Sequence, residues 1–192
     1  MLPAVLALTS GTLLLAGRDD TTAPIVPAAP LTDLEVPLSG LTRKQWLAFV
    51  EAAICGKANT IGKNYRLGIF GLSIPRLSDL GVLEDCQAVG WGKSRAWDGK
   101  WKDPKSLQDF QSRPMLQYEL FARSVKEYAD DEALRANVNR SIDGQSISLS
   151  GLLMLAQRAG LAGMERWIGS SEVRERHRDN TTAFVKRANG IF

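Results

Sequence analysis

The 192-residue sequence has very little histidine and cysteine: His177 is its one histidine, and Cys55 and Cys86 are its two cysteines. A zinc centre needs three or four ligands at close spacings, so this inventory excludes most metal sites, and we expect neither a metal nor a cofactor. No nucleophile motif accompanies His177, which argues against a catalytic triad. The two cysteines either pair in an oxidising compartment or serve as small buried apolar side chains, because sequence separation does not fix their geometry.

A large excess of one charge is also absent. The chain has 24 Lys and Arg against 21 Asp and Glu, which gives a net charge of +3 and a pI near 9.0. Such a mildly basic protein suits an anionic partner without identifying it. Because no long run of Lys and Arg interleaved with aromatic residues occurs, only the net charge favours nucleic-acid binding, and we expect no nucleic-acid partner.

Long hydrophobic runs are missing as well. Residues 1–17, MLPAVLALTSGTLLLAG, are apolar but interrupted by TSGT, and they are shorter than the about 20 residues of a membrane span. No Lys or Arg precedes Arg18, so the basic start of a secretory signal is absent. We interpret the segment as one that docks on a partner, with an uncleaved signal or a membrane anchor as the alternatives.

Proline is concentrated in the next segment. Four of the eight prolines lie in residues 18–40, among Ala, Thr and Asp. This composition favours an extended, polyproline-like linker over a packed core. Residues 41–192 then form one domain, whose length of about 150 residues allows it to bury enough apolar surface to fold without a metal or disulfide.

Helical periodicity is what this domain does contain. Thr42 can cap a helix with Trp46, Val50 and Ile54 on one face, ending at Gly56. Glycine closes several of the later helical segments, as is common at helix ends. Further helices are predicted over residues 75–80, 107–111, 114–128, 132–139, 150–159, 162–168 and 181–188.

Two segments, residues 57–71 and 91–105, are typical of loops. The first is rich in Gly and Asn and has room for a short hairpin, and the second contains tryptophans among Gly, Lys and Asp. Strand signals are scarce elsewhere. The predicted fold class is therefore mainly α, or α+β with at most a small β-hairpin.

Glu51 lies one turn from the end of the first predicted helix, at the edge of its apolar stripe. Partial burial there would disfavour the charged carboxylate. A general acid that must hold its proton near neutral pH needs such surroundings. The alternative is a surface glutamate paired with a Lys or Arg, which position alone favours.

The order of motifs after Glu51 is more informative than any one of them. The pieces are KANTIGKNYRLGIFGL, IPRLSDLGV, WDGKW, LQDFQSRPMLQ, SLSGLLMLAQRAGLAGMERWI and RDNTTAFVKRANGIF. Together they resemble the lysozyme superfamily, and more closely the lytic-transglycosylase-like peptidoglycan hydrolases found in phage tails. The resemblance covers residues 41–192 and implies a lysozyme-like helical domain behind an extended N-terminal tail.

The resemblance implies cleavage of the β-1,4 bond between N-acetylmuramic acid and N-acetylglucosamine, with Glu51 as general acid and base. One glutamic acid suffices for a transglycosylase. A two-carboxylate hydrolase needs a partner, for which Asp79, Glu84, Asp85 and Asp98 are candidates by residue type alone. The implied partners are peptidoglycan strands and, through residues 1–40, other virion or envelope proteins. The implied location is a virion tail or baseplate, or alternatively the periplasm or outer cell envelope.

Aromatic side chains are the candidates for holding sugar rings, since flat apolar faces pack against them. Each is alternatively a core anchor. The family's turn carries a glutamine where this sequence has Gly71 or Ile74, which leaves open a second function as a non-catalytic subunit of a virion tail or cell-envelope complex. The predicted substrate-binding residues are Tyr65, Phe70, Ser73, Trp97, Trp101 and Tyr128.

Overall fold

The computed structural model describes residues 35–62, 65–89, 96–177 and 181–192, so the apolar segment predicted at residues 1–17 lies outside it. The described helices are α1 (Arg43–Ala53), α2 (Ile74–Asp79), α3 (Leu107–Ser112), α4 (Pro114–Ala129), α5 (Glu132–Arg135), α6 (Leu149–Ala159), α7 (Leu161–Gly169), α8 (Ser171–Arg176) and α9 (Ala183–Ala188). The described strands are β1 (Ile61–Gly62), β2 (Arg66–Leu67), β3 (Leu83–Val89), β4 (Ala96–Trp101), β5 (Ser141–Ile142) and β6 (Gln145–Ser146).

Helix α1 begins where the sequence predicts. The Thr42 side chain accepts a hydrogen bond from the Gln45 backbone N–H (3.3 Å), and Gln45 Oε1 accepts one from the Thr42 backbone N–H (3.0 Å). This reciprocal capping box satisfies two amides that the helix leaves unpaired. The helix ends at Ala53 because Ile54 is already extended, which leaves Glu51 in its last turn.

Aromatic rings connect α1, α4 and the turn before α2 in the core. The Phe70 and Phe121 rings stack with their centroids 4.1 Å apart. The ring centroids of Trp46 and Phe49 lie 5.9 and 6.0 Å from that of Phe121. Helix α6 adds an almost fully buried run, LLMLA, at residues 152–156. The core therefore sits between the N-terminal and C-terminal helices and makes one folding unit of the described residues.

The mainly α class is confirmed, but the prediction of at most one small hairpin is wrong. Three antiparallel pairs are present among the described residues: β1 with β2, β3 with β4, and β5 with β6. The β3–β4 pair falls partly in residues 91–105, which the sequence indicated to be a loop. Its strands, LEDCQAV and AWDGKW, lack the apolar alternation that marks a strand. Packing of Trp101 on Phe110, with ring centroids 5.6 Å apart, instead anchors the pair.

Helix boundaries differ from prediction where side chains rather than periodicity decide them. Helix α8 was not predicted, because its sequence SEVRER has no apolar stripe; the Ser170 hydroxyl caps it by accepting the Val173 backbone N–H (3.3 Å). Helix α5 is shorter than the predicted 132–139.

At the other end of the domain, Val36 and Leu38, placed in the linker by composition, pack against the core. No helix within the described ranges is both long and apolar enough to cross a membrane.

Candidate functional site

Glu51 is exposed in the last turn of α1. Val50 and Ala53 face the core, so the helical repeat turns Glu51 towards solvent. The partial burial expected from the sequence is therefore wrong. Within the described part of the chain its carboxylate has no hydrogen bond or ion pair, so the alternative of a paired surface glutamate is not found either.

A groove of about 710 Å³ opens just after α1. It lies between the β1–β2 hairpin with its following turn, on one side, and α6, α7 and α8 on the other; we call it the hairpin groove. Cys55, four residues after Glu51, is part of its lining, whereas Glu51 is not among the described lining residues. The volume is within the range of about 300–1,000 Å³ typical of small-molecule sites.

The wall of the hairpin groove is the turn at residues 68–72, which a buried glutamine holds in place. Gln117 Oε1 accepts the Ile69 backbone N–H (2.9 Å), and Gln117 Nε2 donates to the carbonyls of Ala58 (3.0 Å) and Phe110 (2.9 Å). Gly68 has a φ of +74°, and a Cβ there would lie 2.2 Å from Gln117 Oε1. Sequence reasoning missed this role of Gln117, because a polar residue on a helix carries no sign of burial.

The same turn is tied to the end of α1. The backbone N–H groups of Cys55 and Gly56 both donate to the Ile69 carbonyl, at 2.9 and 3.1 Å. These bonds fix the last turn of α1 relative to the groove wall. The chain that follows Glu51 is therefore joined to the groove wall by main-chain hydrogen bonds.

Gly71, rather than Ile74, is the residue that faces the groove. Ile74 is buried, whereas Gly71 lines the groove and its carbonyl accepts from Arg66 Nη1 (2.9 Å). A Cβ at Gly71 would lie 2.9 Å from Cys55 Sγ and 3.4 Å from Arg158 Nη1. The space that a side chain at Gly71 would need is thus taken by neighbouring arginine and cysteine side chains.

Arg66 and Arg158 lie against each other in this groove. Arg66 Nη2 donates to the Arg158 carbonyl, and Arg158 Nη1 donates to Cys55 Sγ (3.3 Å) while its guanidinium stacks 3.8 Å from the centroid of Phe184. Burial, and after it the charge of Arg158, lowers the pKa of Arg66. Two cations therefore share a partly desolvated site.

The predicted sugar-binding residues are not gathered in one place. Phe70 is a core residue, and Trp101 packs on α3, as described above. Tyr65 is exposed at the hairpin, next to Arg66. The Ser73 hydroxyl caps α2 by accepting the Arg76 backbone N–H (3.3 Å), and the Trp97 side chain lies outside what the structure describes.

Tyr128, the last of the predicted substrate-binding residues, is buried in α4. It is 8% exposed, and the Arg76 guanidinium lies 4.3 Å from its ring centroid. Burial raises the pKa of its hydroxyl, and the charges of Arg76 and Arg66 oppose that shift. Tyr128 is therefore a core side chain whose hydroxyl lies near the charges of Arg76 and Arg66.

A second groove, of about 610 Å³, lies between the β5–β6 hairpin, α8 and α9; we call it the C-terminal groove. Arg174 Nε and Nη2 donate to the two Asp143 carboxylate oxygens, both at 2.7 Å, and Arg174 Nη1 donates to the carbonyls of Trp167 and Ile168. This bidentate pair lowers the pKa of Asp143. Trp167 lines both grooves.

Both cysteines are free, Cys55 being exposed and Cys86 half-buried. Within the described ranges no group of three His, Cys, Asp or Glu side chains is placed to hold a metal ion. Comparison with protein-family models, curated proteins and solved structures finds no match for this chain.

Proposed function

We propose that residues 41–192 are a lysozyme-like domain that cleaves the β-1,4 bond between N-acetylmuramic acid and N-acetylglucosamine, with Glu51 as general acid and base. The observation that supports this most directly is the end of α1. There an exposed carboxylate, unpaired in the described part of the chain, lies four residues before Cys55, which lines the hairpin groove and is hydrogen-bonded to its wall. A general acid needs a carboxyl within reach of substrate and free of a permanent partner.

The chemistry would require one proton carrier. Glu51 would donate its proton to the leaving glycosidic oxygen as that bond breaks, and would then take a proton from the attacking hydroxyl. In a transglycosylase the attacker is the muramic 6-hydroxyl, which gives an anhydro product. A bound glycan strand would exclude water from the carboxyl.

Ion pairs at three of the four other acidic candidates favour the transglycosylase reaction over a two-carboxylate hydrolysis, and the side chain of the fourth, Asp98, lies outside what the structure describes. Asp79 lies 3.8 Å from Arg76, Glu84 lies 3.1 Å from Lys102, and Asp85 lies 3.2 Å from Lys100. The Asp79 pair lies within the short helix α2. Glu84 and Asp85 lie on strand β3, and their lysine partners lie in β4 or directly after it. Each of these carboxylates thus has a local charge partner that suits a surface role.

Peptidoglycan strands would be the substrate, and residues 1–40 would join the domain to other virion tail or cell-envelope proteins. Packing of Val36 and Leu38 on the core gives this tail a fixed point of departure from the domain. The protein would then act in a virion tail or baseplate, or in the periplasm or outer envelope.

The arginines of the hairpin groove favour a second candidate, a lysozyme-like domain that has lost catalysis and serves as a structural subunit. Gly71 supplies no side chain to the groove, and Arg66 and Arg158 occupy the space around it. Such a domain would still fold and bind its partners, but Glu51 would have no chemical role.

A muropeptide digest separates the two candidates. Wild type, Glu51→Gln and the matched surface control Glu119→Gln, an exposed residue of α4, would be incubated with purified peptidoglycan from several wall types. We expect wild type and Glu119→Gln to release muropeptides with anhydro ends, and Glu51→Gln to lose about a hundredfold or more in rate. Reducing ends would indicate hydrolysis instead. Absence of any release by wild type would reject the enzyme and leave the structural candidate.

A further inference from the structure

The hairpin groove is strongly cationic. Arg66, Arg158, Arg166, Arg176 and His177 contribute to its lining, and none of the described lining residues is an Asp or Glu. The side chain of Arg176 is paired with Glu172 at 2.6 Å. Three guanidinium groups remain that have no carboxylate partner within the described ranges.

These three arginines satisfy only part of their hydrogen-bonding capacity. Arg66 donates to the carbonyls of Gly71 and Arg158, Arg158 donates to Cys55 Sγ, and Arg166 donates to the Ala162 carbonyl on its own helix. A guanidinium carries five N–H donors in a planar fork, so each keeps donors for a further acceptor.

Other partly buried arginines of the protein have their charge neutralised. Arg76 lies 2.7 Å from Glu127 and Arg174 lies 2.7 Å from Asp143, and these two arginine side chains are only 11% and 13% exposed. Arg66 and Arg158 instead carry two like charges into one partly desolvated groove, where the Arg66 guanidinium donates to the Arg158 main-chain carbonyl. An anion in the groove would relieve their repulsion and take up the free donors.

We propose that the hairpin groove binds a phosphate-bearing ligand, whose phosphate oxygens are held between Arg66 and Arg158, with Arg166 at the rim. Several arginine forks around one space suit a group with two or more charges and three oxygens better than a single carboxylate. The groove of about 710 Å³ has room for more than one phosphate group. The ligand is therefore a diphosphate or a sugar phosphate. This site does not depend on Glu51 or on glycan cleavage.

Calorimetric titration of the full chain tests the site, with sodium pyrophosphate and glucose 6-phosphate as probes and sodium chloride at equal ionic strength as the blank. We expect saturable heat for at least one phosphate probe, and the tighter one identifies the source as inorganic or sugar-linked. Citrate, a carboxylate of similar charge, should bind at least about tenfold more weakly. If citrate binds as tightly as pyrophosphate, or if neither phosphate probe binds above the blank, the proposal is wrong.

Matched variants locate the binding. Arg158→Gln should weaken pyrophosphate binding about tenfold or more, since charge-assisted hydrogen bonds are lost. Arg166→Gln removes a charge from the rim of the site and, among the described residues, breaks only the hydrogen bond to the Ala162 carbonyl of its own helix. It should weaken binding about threefold and keeps the test valid if Arg158→Gln fails to fold. The control Arg140→Gln alters an exposed arginine bonded to Asn137 (3.0 Å) and should stay within about twofold. An equal loss in the control would contradict a specific site.

Cys55 provides a readout inside the groove, because its sulfur lies 3.3 Å from Arg158 Nη1. In a Cys86→Ser background, N-ethylmaleimide should label Cys55 several-fold more slowly with saturating pyrophosphate, and Arg158→Gln should abolish this protection. Binding of pyrophosphate without any protection of Cys55 would place the anion elsewhere and overturn the proposal.

Discussion

The hairpin groove and the C-terminal groove are similar in volume, and Trp167 lines both. They differ in whether the arginines that line them are paired with carboxylates. In the C-terminal groove, Arg174 is neutralised by Asp143 and also holds two carbonyls at the end of α7. In the hairpin groove, Arg66 and Arg158 contact each other without a carboxylate among the described residues. The first arrangement braces the fold, whereas the second leaves charge available to a ligand.

The largest expected difference between the two grooves concerns their turn glycines. Gly68→Ala would place a Cβ 2.2 Å from Gln117 Oε1 at a φ of +74°, whereas Gly144→Ala, in the β5–β6 turn, has a φ of +78° and nothing within 4 Å. Gly144→Ala adds only backbone strain, about 1 kcal/mol. Gly68→Ala adds loss of buried hydrogen bonds, for a total of about 3 kcal/mol.

Chemical denaturation of both variants measures this difference directly. The urea midpoints should fall in the order wild type, Gly144→Ala, Gly68→Ala. Equal losses for the two variants would mean that the Gln117 bonds to the turn contribute little, and that the hairpin groove is not rigidly built.

The second comparison is between the arginines. Arg174→Gln removes four hydrogen bonds from a side chain that is 13% exposed, so we expect it to reduce the free energy of unfolding by about 2–3 kcal/mol. Arg158→Gln removes a bond to sulfur and a ring contact but also relieves the repulsion with Arg66, so its net cost should be under about 1 kcal/mol. Thermal unfolding with Arg140→Gln as the surface control tests the order. A larger loss for Arg158→Gln would make it a structural arginine like Arg174.

The sequence was sufficient where local signals decide the structure. Thr42 caps α1 and Pro114 begins α4, both as predicted, because capping side chains and proline act on their own turn of helix. Helix α4 ends at Ala129, one residue beyond the predicted end. The mainly α class follows from the same periodicity. The exposure of Glu51 was not predicted, because its position at the edge of the apolar stripe indicated partial burial.

The hairpin groove itself could not be predicted, because its parts are far apart in the chain. Arg66 and Arg158 are 92 residues apart, and Gln117 and Ile69 are 48 apart. Periodicity and spacing describe neighbours along one element and carry no information about such pairs. The two glycines of GIFG were the one available signal, since glycine is common where a turn needs a positive φ or where the backbone approaches another part of the protein closely.

The smallest expected effect is the pH dependence that distinguishes the C-terminal groove. The Asp143 carboxylate accepts two hydrogen bonds from Arg174, which lowers the pKa of this carboxyl in the folded protein. The stabilisation is therefore fully present above the unfolded pKa of about 4, and it is lost as pH falls through the lower folded value. Asp143→Asn should remove that part of the acid dependence in unfolding curves measured between pH 5 and pH 2, while Arg158→Gln should keep it.

Because Asp143 is exposed, solvent and salt screen the effect, and 0.5 M sodium chloride should reduce it further. A pH profile of Asp143→Asn that matches wild type would mean that the bidentate pair does not stabilise the fold, and would leave the carbonyl bonds of Arg174 as the whole of its structural role.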